Sequence, residues 1–285
     1  MKKPSPAPRR LVDFRVRQSG NFTRVMWCVM AVLLAQGPRE ARAGPPFLTD
    51  DPEPVEYQHW EFYVASMDFK TADDWSGTAP HVELNYGVVS NVQLHVIAPL
   101  AYDAPSVGRT HYGYGDTELG VKFRFLQETE RMPQAGVFPL LEVPTGSARD
   151  NLGTGHLQAF LPVWLQKSWG DWTVYGGGGY GINSGPGNQN WGFVGAVVQD
   201  QVLSNVLIGA EVYHQTAHQV GEADDTAFNI GTVIDFTEQH HLLFSAGRSI
   251  HGPTEFQFYI AYQFTFDNGL FRSGDRPAGD PGKVQ

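Results

Sequence analysis

Residues 255–266 read Glu-Phe-Gln-Phe-Tyr-Ile-Ala-Tyr-Gln-Phe-Thr-Phe. Phe256, Phe258, Ile260, Tyr262, Phe264 and Phe266 take every second position, with mostly smaller or more polar residues between them. Side chains of a strand point alternately to its two faces, so this spacing makes a strand with one apolar and one more polar face. A helix would need apolar residues three and four apart, and no stretch of comparable length has them. The same alternation runs through Val82-Glu83-Leu84-Asn85-Tyr86, through Val92-Gln93-Leu94-His95-Val96, and through residues 116–125, DTELGVKFRF.

Working outward, the alternation marks about twelve segments: roughly 59–69, 80–87, 91–100, 115–127, 135–144, 156–167, 171–182, 190–200, 204–215, 225–236, 240–248 and 254–267. Most approach the roughly 9–11 residues that a tilted membrane-crossing strand requires. Their connections alternate in length. KTADDWSGTA (70–79) and TGSARDNLGTG (145–155) are long and polar, whereas GVVSN (87–91), SWGD (168–171) and TEQH (237–240) are tight. QETERMPQ (127–134) is the longest on the tight side. Short turns on one side and long loops on the other suit an antiparallel up-and-down transmembrane β-barrel of about twelve strands, and an even count returns both ends to the periplasmic side. Aromatics gather near the expected rims: Trp60, Tyr86, Trp164, Trp169, Trp172, Phe236 and Phe266 at one, Tyr102, Tyr112, Tyr114 and Trp191 at the other. A soluble periplasmic β-sandwich also alternates, but buries its apolar face. The even count, loop asymmetry and rim aromatics favour the barrel.

The N-terminus points to export. Residues 1–24 hold seven Lys and Arg against one acid, Val25–Ala35 is apolar, and Ala41-Arg42-Ala43 has a small-x-small pattern. Residues 1–43 therefore read as a cleaved secretory signal, too short in its apolar part for a helical anchor. They contain nine of the 20 Lys+Arg and two of the 30 Asp+Glu, leaving 11 bases against 28 acids. That net charge of −17 argues against a nucleic-acid partner, because phosphate contacts need clustered bases. The single cysteine, Cys28, leaves with the signal, so disulfides and thiolate chemistry are excluded from the rest. Residues 44–58 form a periplasmic lead-in, 59–267 the barrel, and 268–285, rich in Gly, Pro and charge, a disordered tail. The lead-in around Asp50-Asp51-Pro52 either plugs the periplasmic mouth or brings the chain to its first strand.

Four segments carry a family resemblance: GPPFLTDDPEPVEYQHWEFY (44–63), GDTELGVKFRF (115–125), LLEVPTGSARDNLGTG (140–155) and LPVWLQKSWGDWTVYGGGGY (161–180). They resemble a bacterial outer-membrane transporter family labelled "MetA-pathway of phenol degradation", and the likeness runs through most of 44–267. The resemblance implies a Gram-negative outer-membrane β-barrel that takes up small, aromatic or hydrophobic compounds. It supplies no catalytic residues.

Parity assigns the lumen. Glu83, Asn85, Gln93 and His95 share one face of the second and third segments. Asp116, Glu118, Lys122 and Arg124 share one face of the fourth. Glu142, Glu211, Glu255 and Gln257 follow in later segments, with Glu61, His81, Asn229 and Asp235 on the same side. Eight acids against two bases would disfavour anions, as rings of carboxylates select cations. The plainer reading is that Lys122 and Arg124 pair with neighbouring acids and fill a closed barrel. His214 and His218, beside Glu222, Asp224 and Asp225, would converge on a metal only in a helix; at a strand end they read as solvated loop. His240-His241 point to opposite faces. A barrel lipase would need a Ser and a His on one face at the rim, and His-x-Ser does not occur. Gly176–Gly179 lacks the Lys-Ser/Thr and helix of a phosphate loop, and reads as room for close approach within a strand. The expectation is a pore or transporter contacting outer-membrane lipid and a small solute, with no catalytic residues, cofactor or metal. A closed structural or interaction barrel and a ligand-binding sandwich are the alternatives.

Overall fold

The computed structural model describes residues 46–268. The signal read at 1–43 and nearly all of the tail read at 268–285 lie outside the described residues. Fourteen hydrogen-bonded segments make twelve antiparallel strands. β1 (His59–Lys70), β2 (Asp74–Val89) and β3 (Val92–Pro105) follow as hairpins. β4 (His111–Tyr114) and β5 (Thr117–Leu126) both pair with β3 and form one strand interrupted at Gly115–Asp116. β6 (Gln134–Val137) and β7 (Leu140–Val143) form the next, interrupted at Phe138–Pro139, where Pro139 has no N–H to give a ladder. Both pair with β5 and with β8 (Gln158–Trp169). β9 (Trp172–Asn183), β10 (Trp191–Leu203), β11 (Val206–Gln215), β12 (Asp225–Asp235), β13 (His240–His251) and β14 (Phe256–Asp267) complete the series. β14 then pairs with β1 along its length, from His59 opposite Asp267 to Lys70 opposite Phe256. The sheet is closed, so no strand presents an open edge.

The alternation of the sequence becomes inside and outside. In β2, Val82 is 38% exposed while Glu83 is 6%. In β11 and β12, Val212 is 53% and Ile230 58% exposed, while Glu211 is 1% and Asn229 4%. The apolar face looks away from the barrel and the polar face is enclosed. A sandwich would bury the opposite set. A continuous exposed apolar band of this kind belongs in hydrocarbon, and the fold is that of an outer-membrane-type β-barrel.

The first connection is shorter than the composition of 70–79 suggests. Trp75–Thr78 pair with Met67–Lys70 and continue β2. The turn falls at Thr71–Asp73 because the Thr71 hydroxyl accepts the backbone N–H of both Asp73 and Asp74. At the short-turn rim Trp60 stacks on Tyr86 at 4.1 Å and lies 6.2 Å from Phe266, an outward aromatic girdle. At the other rim Tyr112 and Tyr114 are exposed. Trp191 does not join them: it shares the inward parity of Phe193 and packs with Phe160. Trp164, read as a rim residue, is likewise buried inside.

Candidate functional site

The interior is crossed by the chain's own lead-in. Residues 46–57 enter the barrel from the end that carries the short turns and run from the β11–β13 wall to the start of β1. Ser245 donates its hydroxyl to the Pro46 carbonyl at 2.5 Å. Glu211 accepts the Thr49 N–H at 2.5 Å and the Leu48 N–H at 3.3 Å. Lys122 donates to Asp50 at 2.9 Å and has Asp51 at 3.9 Å. Arg124 donates to Glu53 at 3.2 Å, and Gln134 and Gln166 donate to the same carboxylate. Val55 donates its N–H to Gln93 at 2.9 Å. Glycines give the strap its seat. A Cβ on Gly195 would lie 1.9 Å from Thr49 Oγ1, and one on Gly87 1.8 Å from the Glu56 carbonyl oxygen. Lys122 and Arg124 thus pair with carboxylates of the strap rather than with acids of neighbouring strands.

Above the strap a polar network joins β2, β3 and β5. Asn85 donates to Glu83 at 2.7 Å. His95 Nδ1 lies 2.7 Å from Asn85 Oδ1, and Nε2 lies 2.9 Å from Glu118 Oε1. Glu142 stands opposite Glu118 across the β5–β7 ladder. On the far wall Asn229 donates to Glu211, and Gln257 donates to Asn229 and accepts from Tyr213. Among the other parity assignments, Glu61 accepts from Tyr63 and Asp235 lies 2.6 Å from His241. Asp116 accepts from the N–H groups of Gly146 and Thr154 and fastens the 144–157 loop. Glu255 precedes β14, is exposed, and meets Lys70 at 2.6 Å on the outer rim. That lysine, by hydrogen bond and charge, lowers the Glu255 carboxyl below its ordinary range.

The opposite half of the interior is aromatic. Inward parity in β9 falls on Tyr175, Gly177, Gly179 and Gly181. The three glycines leave a flat floor on which Phe160 and Trp164 of β8 and Trp191 and Phe193 of β10 lie. A Cβ on Gly179 would come within 2.6 Å of the Phe160 ring, and one on Gly181 within 2.1 Å of the Trp191 ring. Phe160 stacks on Trp191 at 4.8 Å, and His218 from the 216–224 loop stacks on Trp191 at 4.2 Å. Burial lowers the His218 imidazole's pKa, against a smaller opposing pull from Glu222. His214 instead meets Thr226 at 2.8 Å, so the two histidines do not converge. His240 stacks on Phe264, while His241 is fully buried. The sequence singled out neither the aromatic floor nor the strap's partners. Its available signal was the inward parity of Trp164 and Tyr175 beside a glycine run.

No protein-family model and no curated protein matches the sequence. Solved structures do. The COG4313 outer membrane channel from Pseudomonas putida F1 is similar with a TM-score of 0.65 and 16% identity, over 79% of this chain and 100% of that one. The translocator domain of autotransporter NalP from Neisseria meningitidis aligns with a TM-score of 0.45 and 9% identity, over 86% of this chain and 94% of that one. The first likeness establishes a shared fold and bears out the barrel; the second is too distant to carry an argument.

Proposed function

We propose that this chain is an outer-membrane channel for small solutes, gated by its own N-terminal strap. The carrying observation is a closed barrel with an apolar outside, a polar and aromatic inside, and residues 46–57 seated in it by side chains from six strands. The COG4313 protein of the same fold is titled an outer membrane channel, which supports the reading. The aromatic floor of Phe160, Trp164, Trp191 and Phe193 supports aromatic or hydrophobic compounds as the solutes, because flat rings stack on such surfaces. Export by an N-terminal signal and insertion in a Gram-negative outer membrane complete it.

Planar-bilayer recording of the purified chain, beside a variant lacking residues 46–55, is the test. The channel reading expects discrete conductance steps that grow when the strap is removed. Silence from both proteins would favour a second reading, a closed structural barrel, for which the occupied lumen also speaks.

A further inference from the structure

His95 offers both ring nitrogens to acceptors. Asn85 is oriented by Glu83: its amide nitrogen donates to the Glu83 carboxylate at 2.7 Å, which leaves Oδ1 to face His95 Nδ1 at 2.7 Å. An acceptor there requires an N–H on Nδ1. Nε2 faces the Glu118 carboxylate at 2.9 Å. A neutral ring with its proton on Nδ1 would turn a bare lone pair toward that oxygen, inside an enclosed site where an unmet polar contact is costly. With Glu118 ionised, hydrogen bonding is satisfied only if the ring carries the second proton as well.

We propose that His95 is an imidazolium clamped between Asn85 and Glu118, and that this internal cation sets the charge selectivity of the lumen. The charged and titratable groups around it are Glu83 and His81 on β2, Glu118 and Lys122 on β5, Glu142 on β7, and Asp50 on the strap. Lys122 is engaged by Asp50 and Arg124 by Glu53. Among the described residues of this network His95 is therefore the cation that answers Glu118 at 2.9 Å and Glu83 at 3.6 Å, and the His95–Glu118 pair has no net charge. The Phe138 and His95 rings meet in a T-shaped contact, centroids 5.2 Å apart at 85°, which helps to fix the imidazole plane.

The selectivity half rests on the channel reading; the protonation half does not. Nitrogen-15 NMR of histidine-labelled full-length protein in micelles at pH 7.5 tests the second, with His95→Gln identifying the signal. Both ring nitrogens should carry hydrogen. A neutral-tautomer signal for His95 overturns the proposal whether or not the protein conducts.

Reversal potentials in a salt gradient test the first. Gln keeps an N–H toward Glu118 but has no charge, so His95→Gln should leave the pair at −1 and raise the cation-to-anion permeability ratio several-fold. The double variant His95→Gln/Glu118→Gln should return it to the wild-type value, since both pairs are then neutral. If His95 were uncharged in the wild type, His95→Gln would leave the ratio unchanged and the double variant would lower it. Either result, or a change in conductance with no change in reversal potential, overturns the selectivity role.

Discussion

Lys122 Nζ lies 2.9 Å from Asp50 Oδ1, joining the inner face of β5 to the strap across a contact in which the lysine is almost fully buried. On the barrel wall the same ammonium lies over the Phe138 ring, 4.9 Å from its centroid. Breaking a buried pair by removing one member costs about 3–5 kcal/mol, because the other charge is left uncompensated. For Lys122→Met that cost falls on the seated strap, since the strand ladders do not use the side chain. The variant should keep its heat-modifiable gel mobility and spend more time in a high-conductance state. Unchanged open probability in single-channel records would mean that the ion pair does not hold the strap.

Steric seating gives an independent handle. Gly87→Ala would place a methyl 1.8 Å from the Glu56 carbonyl oxygen, while Gly192→Ala meets nothing within 4 Å. Gly87→Ala should raise conductance in the manner of strap deletion, with Gly192→Ala matching the wild type. Cleavage of the strap by a periplasmic-side protease offers the same comparison without electrophysiology. Equal protection in both variants would contradict the seating geometry.

The outward band is tested by charge. Ile230 sits mid-strand in β12 and is 58% exposed, and Val220 lies in the outer 216–224 loop at 72%. In water, Arg at either place would be nearly neutral. In a bilayer, Arg near the midplane of a barrel wall costs about 2–4 kcal/mol and little near the interface. Ile230→Arg should shift the urea midpoint of the folded gel band in lipid vesicles well below that of Val220→Arg. Matching midpoints would remove the lipid from that face.

How much of this was legible in the chain follows from parity. Side chains two apart share a face, so Glu83 with Asn85 and Gln93 with His95 could be sorted inward from their neighbours Leu84 and Leu94 alone, and the strand count and closure came with them. Parity gives the side of the wall but not the depth. Nothing in the spacing of Asp50, Asp51 and Glu53 says that they meet Lys122 and Arg124 more than seventy residues away, because that pairing depends on a strap with no period of its own. Glu255 shows the second limit: it has inward parity with Gln257, yet stands one residue beyond β14, where the wall has ended and Lys70 draws it to the rim. Trp191 shows the third. Rim aromatics face lipid or lumen according to one residue of register, and the glycine floor of β9 settles that choice through packing.

The outer loop should respond to acid through His218. Its ring stacks on Trp191 at 4.2 Å, and burial lowers its pKa from the ordinary 6.5. A histidine with a lowered folded-state pKa favours the closed arrangement when neutral. Its contribution is complete above the ordinary value of 6.5 and is lost as pH falls below it toward the depressed value. Protonation would place a charge in a half-buried site facing an indole already stacked on Phe160, so the 216–224 loop should lift from the aromatic floor as pH falls below 6.5. Trp191 fluorescence, isolated by difference with Trp191→Phe, should change over that window in the wild type. His218→Phe keeps a flat ring but cannot titrate, and should hold the closed signal throughout. If the transition persists in His218→Phe, another group governs the loop; if the wild type shows none, the stack tolerates the charged ring and the loop is fixed by its backbone contacts at Gln189 and Asn183.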